Sequence, residues 1–144
     1  MITRALFGRI GMLAFVAALV ASSCASAPET LPPDVQLTVD MKEYTITLSP
    51  ATVKAGVVKI GIRNLGTMVH DFDLYKTDLA FDKLPVDGAS AMVKLDGLVK
   101  QMRNISPNRV TTLDAQLAAG TYVIICNVAG HYQLGMRAAL KVEP

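Results

Sequence analysis

The chain has 144 residues, with 14 Lys and Arg against 12 Asp and Glu, 51% hydrophobic residues, and only two Cys and two His. That length holds one ordinary domain with a real core, and not two. The near-balanced charge, without a basic stripe, excludes a nucleic-acid binder.

Arg4 and Arg9 precede an apolar run from Ile10 to Ala21, and Ser22-Ser23-Cys24 follows at once. This is the layout of a secretory signal. The run is about a dozen residues, short of the roughly 20 that span a bilayer. Two cleavage points fit. The small residues at 21–23 resemble a bacterial lipobox, which would remove residues 1–23 and leave Cys24 as the lipid-bearing first residue. Ala25-Ser26-Ala27 would be an ordinary small-x-small cleavage site. Both predict export, to the periplasm or outer cell surface, and the first adds attachment to the membrane through an N-terminal lipid anchor. Taking Arg4 and Arg9 from the 14 basic residues leaves 12, equal to the acidic count, so the processed chain is formally neutral. Residues 24–33, with Pro28, Pro32 and Pro33, read as a flexible tether. The folded domain is then 34–144.

From Asp34 the chain reads as short strands. Val35, Leu37 and Val39 alternate with polar residues, as do Tyr44, Ile46 and Leu48, and then Val58, Ile60 and Ile62, the period-two pattern of half-buried strands. Asn64-Leu65-Gly66 supplies a turn. In the next segment His70 shares parity with Phe72 and Leu74, while Asp71, Asp73 and Tyr75 point the other way, so a strand here turns its His inward. From Ala89 to Met102, Met92, Leu95, Leu98, Val99 and Met102 recur at helical spacing, which predicts a surface helix of about three turns. Met92 and Met102 read as its packing face. Val110 to Leu117, Gly120 to Cys126 and Met136 to Val142 are further strands. About seven short strands with turns between them indicate an all-β, antiparallel Greek-key β-sandwich with one short surface helix.

Cys126, His131 and Met136 lie five residues apart along one connection between the last two strands. A thiolate, an imidazole and a thioether there, with a second imidazole from elsewhere, make a His2Cys set with a weak axial Met, a donor set that suits copper. The only other His is His70. Each donor has an ordinary reading too: His70 as a hydrogen-bonded core imidazole, Cys126 as a buried inert thiol. Export weighs against the latter, because exported proteins normally pair their cysteines and Cys24 is lipidated or removed. Strand parity puts His70, Cys126 and Met136 at strand ends on the core side.

The segment Gly120-Thr-Tyr-Val-Ile-Ile-Cys-Asn-Val-Ala-Gly-His-Tyr-Gln-Leu-Gly-Met136, with His70 after the Asn64-Leu-Gly turn, resembles the cupredoxins, the small blue-copper proteins, over about Asp34 to Pro144. The ligand-loop spacing is similar to that of rusticyanin and sulfocyanin. The resemblance implies His70, Cys126 and His131 as equatorial ligands, Met136 as the axial one, and a His131 ring edge that reaches the surface. Asp71 stands where many members have Asn, and Ala129 where many have Pro. A bond between the two ligand loops could then run between Asp71 and Asn127.

These residues predict an exported mononuclear type 1 copper protein that carries single electrons, not an enzyme, with one copper per chain. Redox protein partners would dock near His131, on Met68, Val128, Ala129 and Leu134. A copper-carrying or copper-buffering protein could use the same four ligands. A metal-free β-sandwich binding module would use none.

Overall fold

The computed structural model describes residues 30–144. The signal predicted over 1–23, the lipid-attachment candidate Cys24 and residues 25–29 of the tether lie outside the described residues. In chain order the strands are β1 (Leu37–Lys42), β2 (Thr45–Ser49), β3 (Thr52–Lys54), β4 (Gly56–Asn64), β5 (His70–Lys76), β6 (Val86–Asp87), β7 (Met92–Val93), β8 (Leu98–Ile105), β9 (Val110–Leu117), β10 (Gly120–Ile125) and β11 (Arg137–Glu143). One helical turn, α1 (His131–Leu134), lies between the last two.

Two sheets, ordered β2-β1-β4-β9 and β3-β11-β10-β5-β8, share one core. Alternation builds it: Leu37, Val39 and Met41 of β1, Val58, Ile60 and Ile62 of β4, and Phe72 and Leu74 of β5 are all fully buried. The expected sandwich is present, but its pairing is mixed, because β1 pairs with β4 and β3 with β11 in parallel. The chain leaves the first sheet after β2, contributes β3 to the second, and returns, so β4 comes back beside β1 in the same direction.

The helix expected over 89–102 is not there. Its C-terminal half is β8, which pairs antiparallel with β5. Bulges explain the misleading period. The register slips between the pairs Tyr75–Leu98 and Leu74–Lys100, and again between Phe72–Met102 and His70–Ile105. Each slip adds one residue to β8. Val99, Met102 and Ile105 therefore reach the same core at a spacing of three, which imitates a helix face. Gly97, at φ 91°, turns the chain where a Cβ would come within 2.6 Å of the Lys76 carbonyl oxygen.

The outer face of β5 is also covered. Leu84, Val93 and Leu95, from the connection between β5 and β8, pack with Tyr75, Val123, Ile125 and Tyr132 in a second apolar cluster. Asp71, Asp73 and Tyr75 do point away from the main core, yet all three are buried.

Candidate metal centre

His70 opens β5, Cys126 follows directly on β10, His131 begins α1, and Met136 immediately precedes β11. β10 and β11 pair up to Ile125 and Arg137, and the Cys126 N–H continues the ladder by donating to the Met136 carbonyl at 3.0 Å. The Met136 N–H donates to His131 O and the His131 N–H to Val128 O, both at 3.0 Å. The connection is thus folded onto itself by its own backbone. Gly135, at φ 127°, closes it where a Cβ would come within 2.7 Å of the Tyr44 carbonyl oxygen.

The ligand atoms of His70, Cys126 and His131 all lie within 4.8 Å of one another. Cys126 Sγ is 3.8 Å from His70 Nδ1 and 3.4 Å from His131 Nδ1. Metal bonds of about 2.0 Å to nitrogen and about 2.3 Å to sulfur, set at a trigonal angle, put N and S about 3.8 Å apart. One metal ion fits these three atoms. Met136 is fully buried and belongs to the same core cluster as Cys126.

Electrostatics suits the same donor set. Burial pushes the Cys126 thiol up, opposed by the backbone N–H groups of Asp71 and Val128; the Asp71 N–H donates to Sγ at 3.3 Å. Burial, and then the neighbouring His131, pull the His70 imidazole down, favouring the neutral ring that binds metals. A buried thiolate needs a cation beside it, and a metal supplies one.

The bond between Asp71 and Asn127 does not form; each bonds elsewhere. Asp71 accepts from Arg103 Nη1 and from the Asn104 N–H, both at 2.9 Å. Asn127 accepts the Val93 N–H at 2.7 Å and donates to the Val93 carbonyl at 3.1 Å. The reason is topological: β8 and β7 reach these side chains first.

Three residues outside the expected site shape it. Asn64 donates to the Met68 and Ile105 carbonyls at 2.8 Å each and accepts the Gly66 N–H at 3.0 Å, fixing the loop into His70. Glu43 accepts the N–H groups of Thr67 and Met68, at 2.5 and 2.8 Å, and its backbone hydrogen bonds hold its carboxyl down to about 2. Tyr44 meets the His131 ring edge-on, with centroids 5.4 Å apart. The Asn64 turn was visible in the sequence; the reach of Glu43 and Tyr44 across a β1–β2 turn was not.

Tyr44 also limits how much of the His131 ring reaches the surface. His131 is only 4% exposed, whereas Tyr44 is 38% exposed. In the loop that leads to His70, Met68 is 41% exposed and Leu65 and Val69 are exposed too, and in α1 Leu134 is 59% exposed. Val128 is half-buried and Ala129 exposed.

Asp73 is fully buried beside Arg103, Tyr75 and Asn127. Burial pushes its carboxyl up to about 6, against the pull of Arg103. The folded state therefore holds this proton more tightly than the unfolded chain, a contribution present below about pH 4 and lost as pH rises through about 6. Between pH 4 and 7 the wild type should lose about 2 kcal/mol relative to Asp73→Asn. Chemical denaturation of both metal-free proteins at the two pH values measures this; parallel pH profiles would refute it.

No protein-family model matches the chain, and no curated protein matches it. Solved structures do. Auracyanin from the photosynthetic bacterium Roseiflexus castenholzii is 18% identical, with 74% of this chain and 95% of that chain covered and a TM-score of 0.54. Auracyanin A, a "blue" copper protein from Chloroflexus aurantiacus, is 23% identical over 74% of this chain and 99% of that chain, at a TM-score of 0.51. Rusticyanin from Thiobacillus ferrooxidans is 19% identical over 74% and 76%, at 0.52.

Proposed function

The chain has the cupredoxin fold, and from that premise we propose that it is an exported mononuclear type 1 copper protein that shuttles single electrons between redox partners. The observation that supports this most is the convergence of a buried free thiol and two buried imidazoles within 4.8 Å, beside a buried Met136. His70, Cys126 and His131 would hold the ion through Nδ1, Sγ and Nδ1, with Met136 as the weak axial donor. Copper in such a set gains and loses one electron reversibly.

The residues around it limit rearrangement. Strands β5, β10 and β11 anchor the donors, and the hydrogen bonds of the 126–136 connection fix their spacing. The Asp71 N–H on Sγ withdraws charge from the thiolate and so tunes the potential. With all four donors buried, no coordination position faces a substrate, which favours an electron carrier over an enzyme. Partners would dock on the apolar rim of Tyr44, Met68, Val69 and Leu134, the small kind of interface that releases quickly. The sequence before residue 30 supports export, with residues 1–23 as the signal, Cys24 as the lipid attachment and 24–33 as the tether.

Titration of the purified protein with Cu(II) tests this. We expect an intense visible thiolate-to-copper band that saturates at one equivalent and slow loss of the metal to a chelator. A colourless protein would refute the reading, and rapid loss would favour copper buffering.

A further inference from the structure

Glu43 sits in the turn between β1 and β2 but acts on the loop between β4 and β5. Its Oε1 accepts the Thr67 and Met68 N–H groups, just before His70 enters β5. The same oxygen lies 3.7 Å from His70 Nε2. The approach depends on Gly66, where a Cβ would collide with the Glu43 carboxylate.

His70 itself has two different ends. Nδ1 faces Cys126 Sγ. Nε2 is buried and has no hydrogen-bond partner among the described residues. A buried ring N–H needs an acceptor, and metal-binding imidazoles usually give their second N–H to a carboxylate or carbonyl. Here Glu43 Oε1 is about half an ångström beyond hydrogen-bond distance, a gap that a small rotation of either side chain closes.

We infer that Glu43 is the positioning residue for His70: one carboxylate clamps the loop that delivers the imidazole and accepts a hydrogen bond from its Nε2–H, leaving the Nδ1 lone pair aimed at the metal. The inference rests on the copper reading for its purpose, but not for its test. Ionised Glu43 also places a negative charge behind the ligand, which favours the more highly charged oxidation state of the metal. The sequence offered no hint of this, because Glu43 lies 27 positions from His70, in a turn between two strands of the other sheet.

The test compares wild type with Glu43→Ala, Glu43→Gln and, as a surface control, Glu143→Ala. In the metal-free protein, nitrogen NMR of the imidazoles should show His70 as the Nε2–H tautomer in wild type and a tautomer mixture in Glu43→Ala. In the copper form, Glu43→Ala should bind about 10- to 100-fold more weakly and have a higher reduction potential. Glu43→Gln keeps an acceptor oxygen, so it should retain the tautomer and most of the affinity while the potential still rises. Glu143→Ala should match wild type. An Nδ1–H His70 in wild type, or an unchanged tautomer and affinity in Glu43→Ala, overturns the inference whether or not the melting temperature falls. If Glu43→Ala does not fold, the wild-type tautomer and the Glu43→Gln potential decide it. A wild-type protein that binds no copper would instead sink the electron-carrier reading, and the metal-free tautomer would still decide the role of Glu43.

Discussion

Cys126→Ser is expected to abolish the visible charge-transfer band and to weaken copper binding by more than about 100-fold, beyond the usual cost of losing a residue behind the ligands. The band requires a thiolate bound to the metal, and the Sγ of Cys126 is the only free thiol among the described residues. A hydroxyl is a harder donor that stays protonated at neutral pH and suits copper poorly. The same substitution should leave the metal-free fold within about 1 kcal/mol of wild type. The new oxygen is smaller than the sulfur and leaves only a small void, and the Asp71 N–H that donates to Sγ at 3.3 Å can donate to it instead. Visible spectra with added Cu(II), together with urea denaturation of the metal-free proteins, separate the two effects. A retained band would remove Cys126 from the site, and a large loss of stability would mean that the variant reports on folding and not on ligation.

The inward placement of the candidate donors His70, Cys126 and Met136 was legible in the sequence because it depends on local pattern. Parity along β5, β10 and β11 decides which side chains face inward, and β-strand parity survives wherever a strand has no bulge. That held for Leu37 to Met41, for Val58 to Ile62 and for His70 to Leu74. It failed where bulges entered: β8 carries two, so Val99, Met102 and Ile105 took on a helical spacing although they lie on a strand. What surrounds the donors was hidden for a different reason. The contacts of Glu43 with Thr67 and Met68, of Tyr44 with His131 and of Asn127 with Val93 join residues 24 to 87 positions apart. No local period encodes such contacts; they follow from which turns the topology brings to one end of the sandwich. The expected bond between Asp71 and Asn127 missed for that reason: Val93, which claims Asn127, lies in the region read as a helix, and Arg103 and Asn104, which claim Asp71, follow directly after it on β8.

Asn127→Ala should cost about 2–4 kcal/mol and loosen the ligand connection. The side chain of Asn127 acts as a piece of strand: its oxygen takes the Val93 N–H and its amide gives to the Val93 carbonyl, so β7 is hydrogen-bonded to the residue that follows Cys126. Alanine leaves both buried backbone groups of Val93 unpaired, at about 1–3 kcal/mol each, less whatever water recovers. The loss is local. The neighbouring ties are the Gly130 N–H on the Ala91 carbonyl at 2.9 Å and the Tyr132 hydroxyl, which accepts the Leu84 N–H at 2.8 Å and donates to the Phe81 carbonyl at 3.1 Å. With Asn127 removed, those ties and the Gln133 amide on the Ala91 carbonyl at 3.3 Å hold the middle of the 77–97 segment against the second apolar cluster, while Thr121 and Gly97 hold its ends. Amide exchange at Val93 and Gly130 should therefore accelerate ahead of exchange in β4 and β10, and bound copper should pass to a chelator faster than in wild type. Asn127→Asp sharpens the test. It keeps an acceptor for the Val93 N–H, loses the donor, and sets a second carboxylate beside buried Asp73, so it should open the same segment. Uniform acceleration across all strands in both variants would mean that the bridge supports global stability and does not hold the ligand loop in particular.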